Sequence, residues 1–262
     1  MQKTDSLDPD KIIANLNTKQ IGGKIVVFES TSSTNDVAAE YAKNRRNHGV
    51  VIFAEQQTCG RGRAGNKWLS GRADSILCSV VLTKCRCSCE LLSLVTAVAV
   101  AETIGKIGGQ HAKIKWPNDI ISNNKKLAGI LLESKRFEGN TVYVLGMGIN
   151  CHQTTDSFPP ELQNSAASID IESGTVCDRI TLAKRLLTCL DHWLETAEHD
   201  SKKVIDRWCR LSIQLGHRVT LTYNRKTFSG NCIGIDPENG LIMQLDRGGV
   251  RMFDAAHTSI AR

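Results

Sequence analysis

Over its first two thirds the chain alternates short apolar runs, rich in β-branched residues, with longer stretches in which apolar residues recur every three or four positions. That alternation predicts an α/β (α+β) fold with a mixed central β-sheet flanked by helices. Strands are predicted at residues 24–28, 50–55, 76–82, 113–116, 127–133 and 142–149. A helix should open near Ser33, because Ser33, Thr34, Asn35 and Asp36 suit a helix N-terminus and Val37, Ala38, Tyr41 and Ala42 supply an apolar stripe. Leu91, Leu94, Val95, Val98 and Ile104 predict a second helix over 90–107, and Leu182, Leu186, Leu187, Leu190 and Leu194 a third. After Gln214 the pattern changes to brief strands with turn signals at Pro237-Glu238-Asn239-Gly240 and Gly248-Gly249, which predicts a small antiparallel barrel. The organisation expected is an N-terminal extension over 1–23, a larger unit over 24–213 and the barrel over 214–262.

Composition narrows the classes without choosing among them. With 41% apolar and 23% charged residues, 262 residues can bury a proper core, and neither disorder nor a fibrous repeat is indicated. Lys and Arg outnumber Asp and Glu 33 to 27, which suits anionic ligands but lacks the dense basic clustering of a dedicated nucleic-acid binder. The longest uncharged apolar run, 91–101, is broken by Ser93 and Thr96 and is too short to span a bilayer. The first twenty residues lack the apolar core of a secretion signal, so a cytoplasmic location without membrane association is expected, and the ten cysteines are expected as thiols. Cys85, Cys87 and Cys89 alternate as C-x-C-x-C, without the C-x-x-C or histidine spacing of a metal site.

Four segments carry candidate chemistry. Gly60-Arg61-Gly62-Arg63-Ala64-Gly65-Asn66-Lys67-Trp68 satisfies G-x-G-x-x-G, but the residues that follow are turn formers, so no helix opens to receive a pyrophosphate, and the P-loop lysine and hydroxyl are missing. What remains is a flexible glycine loop whose arginines can neutralise carboxylate or phosphate oxygens. Lys115-Trp116-Pro117-Asn118-Asp119 should end a strand in a tight turn at the rim of the sheet, although a plain Pro-Asn-Asp turn reads the same way. Lys126 stands immediately before a strand of small and apolar residues, where an ammonium can stabilise developing negative charge. Gly146-Met147-Gly148-Ile149-Asn150 brings a small-residue strand end and an amide toward the same rim.

Read in order, S-T-N at 33–35, Q-T-x-G-R-G-R at 57–63, K-W-P-N-D at 115–119, K-L-A-G-I-L at 126–131 and G-x-G-I-N at 146–150 resemble the biotin protein ligase family. The resemblance covers roughly residues 24–262, and it implies a catalytic domain like those of class II aminoacyl-tRNA synthetases plus an SH3-like C-terminal domain. It further implies ATP-dependent formation of biotinyl-adenylate and transfer of biotin to a lysine of a biotin carboxyl carrier protein. By that resemblance Ser33, Thr34, Asn35, Gln57, Arg61, Gly62, Arg63, Lys126 and Gly129 would bind biotin, and Arg61, Arg63, Trp68, Lys115, Asn118, Asp119 and Asn150 would bind ATP. Lys126, Arg63 and Asp119 would act in catalysis, with Mg²⁺ held by the ATP phosphates together with Asp119. Two departures stand out: Ala64 replaces an arginine that some members carry, and only about twenty residues precede the first strand, too few for a helix-turn-helix domain, so no operator binding is expected. A monomer and a homodimer are both compatible with the sequence. A lipoate ligase or octanoyltransferase is the nearest rival enzyme. A basic nucleic-acid module built on the barrel, with Tyr223, Phe228 and Phe253, is the rival of another class.

Overall fold

The protein, seen in a computed structural model that describes residues 5–107 and 111–260, is built around a seven-stranded mixed sheet. Its strands are β1 (Ile25–Phe28), β2 (Val51–Ala54), β3 (Ser75–Leu82), β4 (Lys113–Lys115), β5 (Asp119–Ser122), β6 (Lys125–Phe137) and β7 (Asn140–Asn150). They run in the order β1-β2-β3-β7-β6-β5-β4, with β1 and β2 parallel and the remaining pairs antiparallel. The α-helices among the described residues are α1 (Pro9–Ile13), α2 (Thr34–Ala42), α3 (Cys89–Gly105), α4 (Ile169–Ser173), α5 (Arg179–His199) and α6 (Ser201–Leu211). A second, five-stranded antiparallel sheet follows, ordered β11-β10-β9-β8-β12, from β8 (Arg218–Tyr223), β9 (Lys226–Asp236), β10 (Gly240–Leu245), β11 (Val250–Phe253) and β12 (Thr258–Ile260). Of the expected end segments, residues 1–4 and 261–262 lie outside the described residues.

Alternation along the strands sorts side chains onto two unequal faces. Val51, Phe53, Ile76, Cys78, Val80, Leu145, Met147 and Ile149 pack with α3 and α5 in the large core. Ile52, Val81, Val142 and Val144 face the other way, against Ala38, Ala39 and Ala42 of α2 in a smaller cluster. Because α3 is buried on nearly every side, it is apolar throughout rather than striped.

Three details differ from the sequence expectation. The sequence pattern predicts no strand between 116 and 127, yet β5 lies there; Asn123 and Asn124, at φ 47° and 63°, form a two-residue turn that folds it back onto β6. Lys126 therefore lies inside β6 rather than before it, opposite Ile121. Helix α6 was also unread, since only Val204 and Trp208, one turn apart, are buried in a polar stretch capped by Asp200.

The N-terminal segment is pinned by charge. Arg179, with a fully buried side chain, donates to Asp5 Oδ1 at 2.7 Å, to Glu55 Oε2 at 2.8 Å and to the Ser75 carbonyl at 3.1 Å. Glu55 also accepts from the Leu7 backbone N–H at 2.6 Å. His152 lies between Asp170 at 2.7 Å and Asp5 at 3.3 Å, and the hydrogen bond to Asp5, aided by Asp170 against burial, pushes its pKa up to about 9. Raised above the ordinary 6.5, this group stabilises the fold fully below pH 6.5 and loses that contribution as pH rises through about 9. Thermal melts at constant ionic strength should show stability falling by ~1–3 kcal/mol across that window. In His152→Asn the fall should shrink; equal falls in the two proteins would refute the assignment.

Candidate active site

The face of the sheet that carries α2 becomes shallow where the chain places glycine. Gly129 of β6 pairs with Gly148 of β7, and Gly146 lies opposite Ser79 of β3. A Cβ on Gly146 would meet Asn35 Oδ1 at 2.4 Å, and one on Gly148 would meet the Trp68 ring at 2.5 Å. The glycines thus let Asn35 and the Trp68 ring seat directly on the sheet, where they line a cleft of about 710 Å³, within the range of small-molecule sites. The alternation in G-M-G-I-N is thus explained: glycines on the cleft side, Met147 and Ile149 in the core behind.

Helix α2 delivers one end of the cleft. Ser33, Thr34 and Asn35 are each at most 4% exposed. Thr34 donates to Gln57 Oε1 from its backbone N–H at 2.7 Å and from its hydroxyl at 3.1 Å, and Ser79 Oγ lies 2.7 Å from Thr34 Oγ1 and 2.6 Å from Asn35 Oδ1. Asn35 donates to Glu133 Oε2 at 2.7 Å. These are fixed hydrogen-bonding groups around a small volume, suited to a neutral polar ring.

The glycine loop is more ordered in its contacts than a free strap. Arg61 and Lys67 form an antiparallel bridge, Gly62 N–H donates to Asn66 at 2.7 Å, and Ala64 and Gly65 turn with φ 53° and 78°, making a miniature hairpin. Ala64 thus occupies a left-handed position, a conformation that costs a non-glycine residue ~1–2 kcal/mol. Neither arginine points at an open anion position. Arg61 forks onto Asp36 at 2.7 and 2.8 Å, and the hydrogen bond lowers the Asp36 pKa and raises that of Arg61. Arg63 donates to the Ala255 carbonyl in the turn between β11 and β12 and to Asn118 Oδ1 at 3.5 Å; burial lowers its pKa, opposed by Glu90, Asp119 and Asp254.

At the other end the hairpin from β4 to β5 presents Lys115, Asn118 and Asp119, with Lys115 registered opposite Asp119 and a cis Trp116–Pro117 peptide between them. Asn118 clips onto β6 twice, donating from Nδ2 to Ile130 O at 3.0 Å and accepting the Ile130 N–H at 2.9 Å. Lys126 Nζ meets Asp119 Oδ1 at 2.6 Å and sits 5.7 Å from the centre of the Trp68 ring. Asn150 is 4% exposed and donates to Ala167 O at 3.0 Å.

All of the candidate residues, Ser33, Thr34, Asn35, Gln57, Arg61, Gly62, Arg63, Lys115, Asn118, Asp119, Lys126, Gly129 and Asn150 from the five motifs and Trp68 at the end of the glycine loop, line this one cleft. The sequence reading missed its far wall, where Ser157, Phe158, Pro159, Leu162, Ser165 and Ala166 close over Lys126. Lys126 N–H donates to Ser165 O at 2.8 Å, and its carbonyl accepts from Ala167 at 3.0 Å. Phe158-Pro159 in a turn-rich stretch straight after G-x-G-I-N was the available signal.

Comparisons agree with this architecture. A model of the Biotin/lipoate A/B protein ligase family matches residues 27–150. The chain is 31% identical to the bifunctional ligase/repressor BirA of Bacillus spizizenii, over 97% of this chain and 80% of that protein. It is 30% identical to the biotin–[acetyl-CoA-carboxylase] ligase of Mycobacterium tuberculosis, covering 84% of each. Among solved structures, the biotin protein ligase from Aquifex aeolicus in complex with biotin and ATP superposes with a TM-score of 0.78 at 23% identity, over 92% of this chain and 99% of that one, a likeness of fold. No helix among the described residues is long and apolar enough to cross a membrane. Identity of this extent, over nearly the whole chain and with every motif in one cleft, means that the chain belongs to the biotin/lipoate protein ligase family, among its biotin protein ligases.

Proposed function

We propose that this protein joins biotin to ATP as biotinyl-adenylate and transfers the biotinyl group to a lysine of a biotin carboxyl carrier protein. The observation that carries the reading is the convergence of five sequence-separated motifs on one cleft, with the Lys126–Asp119 pair at 2.6 Å and the Lys126 ammonium 5.7 Å from the centre of the Trp68 ring. Residues 24–213 would form the catalytic unit and 214–262 an SH3-like unit.

In the first step the biotin carboxylate attacks the α-phosphorus and pyrophosphate leaves; in the second, the acceptor amine attacks the anhydride carbonyl, loses its proton and AMP leaves. Two anions must approach, so the enzyme's task is positioning and charge compensation. Lys126 would turn from Asp119 to bridge carboxylate and α-phosphate. Arg61 and Arg63 would exchange their present carboxylate and carbonyl partners for the ligand. Ser33, Thr34, Asn35 and Gln57 would hold the ureido ring, Gly62 and Gly129 would allow close approach, and Trp68, Lys115, Asn118 and Asn150 would serve the nucleotide. Asp119 is the one acidic side chain lining this cleft among the described residues. That donor set fits a Mg²⁺ carried chiefly by phosphate oxygens, with Asp119 as its single carboxylate.

Incubation with ATP and radiolabelled biotin, with and without a carrier domain, tests the assignment. Label in the carrier is expected; lipoate uptake without biotin label, or no label with either, would overturn it. Gly148→Val should push the Trp68 indole off the sheet and lower kcat/KM at least tenfold while the protein stays folded, which steady-state kinetics beside a urea melt would check.

A further inference from the structure

The segment that joins β7 to α5 supplies the far wall of the cleft, Phe158 and Ser165 included, and its two ends meet at residues that do not line the cleft. His152 stands at the start of the segment, Asp170 in α4 and Cys177 just before α5. Among the described residues, one donor atom from each of these three lies within 4.8 Å of the others. Between His152 and Asp170 the close atoms are Nδ1 and Oδ2, 2.7 Å apart. A histidine between two aspartates is by itself an ordinary ion pair. The sulfur within reach of both is what changes the chemistry, because thiolate, imidazole and carboxylate together suit Zn²⁺ rather than Mg²⁺ or Ca²⁺. Bonds of about 2.0–2.3 Å at tetrahedral angles set ligand atoms ~3.3–3.8 Å apart, so side-chain adjustments of about 1 Å would close the shell.

The surroundings are those of a ligating histidine. A metal-bound imidazole characteristically donates its second N–H to a carboxylate, which fixes the tautomer and the aim of the ring. Here Nε2 faces Asp5 Oδ2 at 3.3 Å, and Asp5 is held in turn by Arg179. Asp170 is aimed in the same manner: its Oδ1 accepts the Cys177 N–H at 2.8 Å, which turns Oδ2 toward His152. Backbone bonds fix the stations, from His152 N–H to Asp74 O at 2.9 Å and from Asp170 N–H to Cys151 O at 3.1 Å. The His152 and Asp170 side chains are each 20% exposed and Cys177 is 7% exposed, so a cation can enter and is then largely shielded. Cys151, wholly buried and donating to Ile149 O at 3.4 Å, stays outside the shell.

We propose that His152 Nδ1, Asp170 Oδ2 and Cys177 Sγ bind one zinc ion, with water in the fourth position, and that the ion clips the two ends of the wall segment together. Binding displaces two protons to solvent, the one between Nδ1 and Asp170 and the one on the Cys177 thiol, so the net charge of the cluster is unchanged. The fall in stability assigned to His152 is accordingly read in chelator, where Nδ1 carries its proton. Because the ion binds the folded chain, it stabilises by mass action and holds Phe158 to Ala166 against the cleft.

The full chain, stripped of metal by a chelator and kept reduced, is titrated with Zn²⁺ against a fluorescent indicator and with Co²⁺ as an optical probe. One zinc per chain is expected, and the cobalt form should show a thiolate charge-transfer band in the near ultraviolet. Zinc at about 100 times its Kd should raise Tm by ~5–10 °C. Cys177→Ser should lose the band, and both it and Asp170→Asn should bind zinc at least tenfold more weakly with no rise in Tm. Cys85→Ser, from the C-x-C-x-C segment, should bind as the natural protein does. Circular dichroism shows whether each variant is folded; if Cys177→Ser is not, Asp170→Asn carries the comparison. No zinc uptake, cobalt bound without the band, uptake unchanged in the Cys177 and Asp170 variants, or uptake lost in Cys85→Ser would overturn the proposal.

Discussion

Lys126→Ala is expected to lower the rate of adenylate formation by ~10²–10³-fold, the scale on which removing one preorganised charge from an acyl- or phosphoryl-transfer site acts. In the proposed reaction its ammonium would bridge the two anions, and it already pairs with the Asp119 carboxylate at 2.6 Å. Biotin-dependent release of pyrophosphate reports the step directly, and near-normal release would remove Lys126 from the mechanism. Folding should barely change, because Lys126 and Asp119 are 35% and 29% exposed and such partly solvated pairs contribute at most ~1 kcal/mol. Lys126→Arg, which keeps the charge but changes its shape, should recover only part of the rate.

The second large effect is structural. Arg179→Met should destabilise the protein by ~3–5 kcal/mol, a large share of the ~5–15 kcal/mol that holds an ordinary domain together. The loss comes less from the pair itself than from what it leaves behind: Glu55, 3% exposed, would be an uncompensated charge beneath the strand that leads to Gln57. Adding Glu55→Gln to Arg179→Met should therefore restore part of the stability, since a buried neutral amide is cheaper than a buried carboxylate. Urea unfolding of the single and double variants checks both statements; a single variant within ~1 kcal/mol of the natural protein would show that water reaches Glu55.

Much of this was legible before any coordinates. Six of the seven strands of the main sheet, together with α2, α3 and α5, carry the apolar periodicity that burial on one or two faces demands. The cleft residues were legible for another reason: their types are wrong for a core and right for holding anions or polar rings. What stayed hidden depended on tertiary pairing. The partners of Arg61 and Arg63, Asp36 and the Ala255 carbonyl, lie 25 and 192 residues away, and no local pattern reports them. Strand β5 hid because Ile120, Ile121 and Ser122 are buried together and so lack alternation, while Asn123-Asn124 reads as loop unless a left-handed pair is suspected. The hairpin within the glycine loop hid likewise, since its glycines suggested freedom while backbone bonds at 2.7 and 3.0 Å close it.

Gln214 joins the two sheets through one amide. Its Oε1 accepts the Trp116 N–H at 2.9 Å and its Nε2 donates to the Trp116 carbonyl at 2.8 Å, in imitation of a neighbouring strand. For protein engineering this sets a compatibility rule: a chimaera that takes its last fifty or so residues from a relative inherits the alignment of Asn118 and Asp119 along with them. Donors with an amide at the junction should splice in with the turn intact, while donors that put an apolar side chain there would strand two backbone groups under a buried indole, at about 1–3 kcal/mol each.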